Sequence, residues 1–181
     1  MQDNRPVVQV GDAALSRTSG SSSTRQSSRY LALNIIIASL IAGLLAGATV
    51  ALALKLWMMF VGWISFGTGR DDLGRGSAAI VALLIGLILG IVGIAAVVAL
   101  QSTLGVLALP LVVVVSAILA LSSQMTPINS VPSYFLGMTA FFASNLEPGV
   151  PAFLSLASAA FIGAIGGTLV ILCGRWVSRL A

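Results

Sequence analysis

The chain has 181 residues, 58% hydrophobic and 8% charged, with nine Lys/Arg against five Asp/Glu, a net charge of +4 and no histidine. A soluble domain carries about a quarter charged residues, so a chain this apolar cannot cover its surface in water and must turn most of it to lipid. A single cysteine, Cys173, excludes an internal disulfide. The lack of His excludes a Cys/His metal centre, and the cations form no basic stripe for nucleic acid.

In chain order, residues 1–30 stand apart by composition. Ser16 to Ser28 is a run of Ser, Thr, Arg, Gln and Gly, which buries too little apolar surface to offset its ordering entropy and reads as a disordered tail. The apolar run that follows is too long for a signal-peptide core. Residues 31–181 read as one transmembrane domain. Leu31 to Leu54 is uncharged and exceeds the ~20 residues needed to cross a bilayer. Lys55 and Trp57 then mark an interface. Trp57 to Gly69 is short, apolar and aromatic, and it runs into the densest charge cluster of the chain, Arg70-Asp71-Asp72-Leu-Gly-Arg75. Ser77 to Leu100 is a second long helix and Val106 to Leu121 a third. Pro127, Asn129 and Pro132 punctuate a polar turn. A second aromatic segment runs from Tyr134 to Asn145, Glu147-Pro-Gly-Val-Pro151 turns the chain, and Ala152 to Trp176 is the last helix. Gly43/Gly47, Gly86/Gly90 and Gly163/Gly167 each have the Gly-x-x-x-Gly spacing that lets helix backbones approach closely.

The two aromatic segments repeat at an offset of about 75 positions: Phe60 falls on Phe135, Gly62 on Gly137 and Phe66 on Phe141. Shortening the offset by two lays Gly90 and Gly93 over Gly163 and Gly166. The chain therefore reads as two copies, about 31–100 and 104–176, of long helix, short aromatic segment, long helix. If both short segments span, there are six helices; if both dip in and return, there are four. Either way the termini share a side, and Arg25, Arg29, Arg175 and Arg179 put that side in the cytoplasm. Six helices also bring Arg70 and Arg75 to the cytoplasm, so the charge rule favours six. Three helices per repeat then makes the repeats inverted, as in many transporters.

The Leu-Asn-Ile-Ile-Ile opening, Trp-Ile-Ser-Phe-Gly, Val131-Pro-Ser-Tyr-Phe-Leu-Gly-Met-Thr-Ala-Phe-Phe-Ala143 and the Gly-rich last helix resemble the YcdZ-type family of small bacterial inner-membrane proteins, over about residues 32–176. That family is a domain of unknown function, so the resemblance carries no site residue, and the Arg-Asp-Asp cluster is not part of its pattern.

No catalytic, cofactor or metal constellation is visible, and no enzymatic activity is expected. Trp63, Phe66, Thr68, Phe135, Thr139, Phe141, Ser144 and Asn145 are candidates for a narrow solute constriction, because rings select by size and hydroxyls replace water. Packing rings and hydroxyls bonded back to their own helix are the plain alternative. Arg70, Asp71, Asp72 and Glu147 could form a mouth or gate, or simply solvated turns. With no charge deep in a long helix, a passive path for a small neutral solute is favoured over a proton-driven pump. A non-transporting scaffold or accessory subunit that binds partner helices is the alternative from another class, and a homo-oligomer is compatible with either. The bilayer is the expected partner.

Overall fold

The computed structural model describes residues 12–69, 72–125 and 128–179, with side chains from Leu31 to Val177 within those ranges. The described residues form six α-helices and no strand: α1 Asp12–Ala51, α2 Leu56–Gly67, α3 Leu73–Leu104, α4 Ala108–Ser122, α5 Val131–Ser144 and α6 Val150–Arg179, with 3-10 turns at Gly105–Leu107 and Ser123–Met125. Three stretches, Leu31–Ala51, Leu73–Met125 and Val150–Val177, are long and apolar enough to cross a membrane. The first eleven residues lie outside the described residues. From Asp12 to Tyr30 the backbone continues α1 through the Ser-rich stretch that reads as a tail.

The helix ends follow the local sequence. Asp72 caps α3 by accepting from the Gly74 N–H at 2.9 Å. Pro132 in the first turn of α5 needs no N–H there. Asn145 ends α5 in the left-handed conformation. Helix α1 ends in a Schellman turn, with Leu54 N–H to Thr49 O and Ala53 N–H to Val50 O. Ala53 takes the left-handed position, at φ 53°, that glycine usually fills.

Glycines set the packing. A Cβ on Gly62 of α2 would strike the Ala160 backbone of α6, and one on Gly163 would strike the Met59 backbone. Gly86 of α3 meets the Tyr134 backbone of α5 in the same way, and Gly137 meets the Leu83 backbone. Such contacts bring two helix backbones together with no side chain between them. Met59 lies on Gly163 and Phe66 on Gly167, so α2 and α6 run parallel; Tyr134 on Gly86 and Phe141 on Gly90 make α5 and α3 parallel. Gly43 and Gly47 differ from the other two pairs in having open space before them.

Neither α2 nor α5 turns back. At ~1.5 Å per residue, their 12 and 14 residues give ~18 and ~21 Å, less than a ~30 Å hydrocarbon core. They lie against the middle of the much longer α6 and α3. The core runs along this arrangement: Met58, Leu83, Leu87, Ala140, Phe141, Leu156 and Ala160 form the main buried cluster. Helices α1 and α4 are peripheral, packing against α6 and α3 respectively. They present large apolar side chains outward, such as Leu44 and Leu111.

Candidate functional site

Where α2 ends and α3 and α5 begin, four hydroxyls line up. Many Ser and Thr side chains among the described residues donate to a carbonyl one turn back in their own helix, as Ser39, Thr49, Ser158 and Thr168 do. Ser65 does not. It is fully buried on α2, and it donates across the bundle to the Ala79 carbonyl of α3 at 3.1 Å and to the Ser133 hydroxyl of α5 at 2.8 Å. It has one proton, so the two acceptors share it in turn. Ser133, also fully buried, is 2.8 Å from the Ser130 hydroxyl, which is 3.5 Å from Thr68 Oγ1. Thr68 is exposed and donates to the Ser65 carbonyl at 2.7 Å. A line of hydroxyls therefore descends from the surface to the crossing of the two short helices. Every buried side-chain polar atom among the described residues has a partner, as burial in apolar surroundings demands.

Thr68 and Ser130 also line a cavity of about 430 Å³, together with Gly69, Arg75, Ala78, Asn129 and Pro132. Arg75 is largely exposed, with its Nε 3.7 Å from Asp72 Oδ2, so the charge at this mouth is partly balanced within it. A second cavity, about 350 Å³, lies at the opposite end of the bundle, between Leu146, Glu147, Pro148, Gly149, Pro151, Ala152 and Ser155.

The residues expected to form one constriction are dispersed. Phe66 is buried between Gly76 of α3 and Gly167 of α6, in a cluster with Ile80 and Ala164. Phe141 is buried in the main cluster, its Cβ side against Gly90 and its ring 6.1 Å from that of Phe142. The two rings thus sit in different parts of the core. Trp63 lays its indole over Gly166 beside Leu45. Phe135 and Thr139 are exposed and border an apolar groove of about 140 Å³ between α3, α4 and α5. Ser144 caps the end of α5, donating to Phe141 O and accepting from Leu146 N–H, and Asn145 is exposed. Of the eight, only Thr68 belongs to the hydroxyl line. Among the expected mouth residues, Asp72 caps α3, Glu147 borders the second cavity, and Arg70 and Asp71 lie outside the described residues. Ser130 and Ser133 were missed. Their only sequence signal is a pair of hydroxyls one turn apart at the start of an apolar helix.

Among the described residues no group of three or more His, Cys, Asp or Glu could hold a metal ion. What the arrangement offers is hydrogen bonding: Thr68 and Ser130 in the lining of an open cavity, and a buried hydroxyl pair behind them.

The long apolar helices and the outward-facing aliphatic surface make this a membrane protein. The chain belongs to a family of proteins of unknown function, DUF1097, whose profile matches residues 35–173. No curated protein and no solved structure matches the chain.

Proposed function

We propose that the chain is a six-pass protein of the bacterial inner membrane, with both termini cytoplasmic, that passes a small, neutral, hydrogen-bonding solute between the two cavities. The observation that carries this reading is the buried Ser65–Ser133 pair, joined through Ser130 to the lining of the larger cavity. Two hydroxyls that bond to each other rather than to their own helices can exchange that bond for one to a solute at small net cost. The arginines near the termini support the orientation, and the motifs named above carry the narrower likeness to YcdZ-type proteins. No enzymatic step is part of this reading.

Inverted repeats fit the packing. Exchanging α1–α2–α3 for α4–α5–α6 turns the α2–α6 contact into α5–α3, and the α1–α6 contact into α4–α3. The same exchange carries Phe66 on Gly167 to Phe141 on Gly90. It implies a different register from the one read from the sequence. Gly86 and Gly90 correspond to Gly163 and Gly167, so the offset lengthens by two after the short helix instead of shortening. Inverted-repeat transporters place their sites where short helices meet between the halves, which is where Ser65 and Ser133 lie.

The test is solute flux through purified protein in liposomes, using neutral solutes graded from urea and glycerol to larger polyols. The smallest should cross, and Ser65→Ala/Ser133→Ala should slow them about tenfold, equivalent to ~1.4 kcal/mol. A second reading, a scaffold for partner helices or further copies of the chain, draws on the open faces of Gly43 and Gly47. It is favoured if no solute crosses and Gly43→Leu alters the oligomer.

A further inference from the structure

We infer that Met58 and Ala140 form the seal between the two cavities, and that the hydroxyl line leads to one side only because the Ser65–Ser133 pair has an apolar counterpart. The inference rests on the solute-path reading above. In the repeat register fixed by the glycine contacts, Met59 corresponds to Tyr134 and Gly62 to Gly137. By the same register Ser65 corresponds to Ala140, and Ser133 to Met58. The short helices α2 and α5 cross antiparallel, with Thr68 near Ser130 and Ser65 on Ser133. Continuing that register past the crossing brings Met58 opposite Ala140, and both are buried in one cluster. The crossing thus has two equivalent layers. One is a hydroxyl pair that continues into the 430 Å³ cavity. The other is a thioether and a methyl group on the side of the 350 Å³ cavity, walled by Leu83, Leu87, Phe141 and Leu156.

The chemistry of the two layers differs in the way a seal requires. A solute leaving the Ser65–Ser133 layer finds no hydrogen-bonding side chain in the next one. Water is excluded by the same lack, as at a hydrophobic constriction. Methionine suits the task because its unbranched side chain changes shape with little strain. Met58 has no exposed surface and Ala140 almost none, so solute passes only if the thioether swings aside.

The experiment reads the sidedness of a cysteine in full-length protein of defined orientation in liposomes, in a Cys173→Ser background. Thr68→Cys and Ser133→Cys report separately, using a charged, membrane-impermeant methanethiosulfonate. Thr68→Cys should react from the cytoplasmic side alone. Adding Met58→Ser/Ala140→Ser should let Ser133→Cys react from the opposite side, at least tenfold faster than in the parent. Met58→Ala, which removes the plug without burying new hydroxyls, should do the same and serves if the double variant does not fold. The seal assignment is overturned if folded Met58→Ala leaves Ser133→Cys as slow from that side as in the parent. Solute flux in the parent is measured in parallel. Opposite-side labelling without flux of any solute would leave the seal standing and sink the transport reading; flux with unchanged labelling would sink the seal alone.

Discussion

At Gly163 and Gly43 the same residue type, in the same spacing motif, has opposite surroundings. A side chain at Gly163 would enter the α2 backbone, whereas one at Gly43 meets nothing within 4 Å. Gly163→Leu should therefore destabilise by about 3 kcal/mol or more, because a backbone cannot repack around it. Gly43→Leu should leave the melting temperature in detergent unchanged. Ala53 offers the reverse case. Its left-handed φ of 53° closes the Schellman turn and is unfavourable for an L-residue, so Ala53→Gly should stabilise by roughly 1 kcal/mol. Asp72→Ala should cost about 1 kcal/mol through loss of the α3 cap. Thermal unfolding of the purified protein measures all four.

The two short helices were legible as elements and not as partners. Their apolar and aromatic character, their length and the charged or Pro-rich turns around them all stand in the sequence. The spacing behind the proposed repeat stands there too: Phe66/Phe141 and Gly62/Gly137 share one offset, and both glycines face the backbone of a neighbouring helix. The register that the proposed repeat gives α3 against α6 was not legible. Both helices carry three glycines within one or two turns, so several superpositions match letters equally well, and only the backbone each glycine faces separates them. The hydroxyl line was hidden for a similar reason. Ser65 and Ser133 are 68 residues apart, and a membrane serine bonds its own helix by default. The direction of each short helix has its own test. Ser77→Cys, near the start of α3, and Val150→Cys, at the start of α6, should label from opposite faces of the bilayer; labelling from one face would mean that α2 and α5 do not carry the chain across.

For the whole molecule, the inverted-repeat reading proposed above expects equivalent positions to answer alike. Phe66→Ala and Phe141→Ala empty corresponding spaces over Gly167 and Gly90. Each should lose about 3–5 kcal/mol, and their effects should add, since the rings belong to separate clusters. A coupling well above 0.5 kcal/mol between them in a double-mutant cycle would mean that they share one constriction after all.

The parallel partnering of α2 with α6, and of α5 with α3, also bears on how the chain is made. Each short helix finds its main partner in the other half, so α2 leaves the ribosome long before the α6 surface it needs exists. Contacts this distant in sequence are slow to form, and an unfinished chain exposes them to error. The first half made alone should be a clear substrate for membrane proteolysis. The second half, supplied as a separate polypeptide cut at Gly105, where φ turns positive at the end of α3, should rescue it, because the surface that recruits it is the one that would have held the uncut chain together.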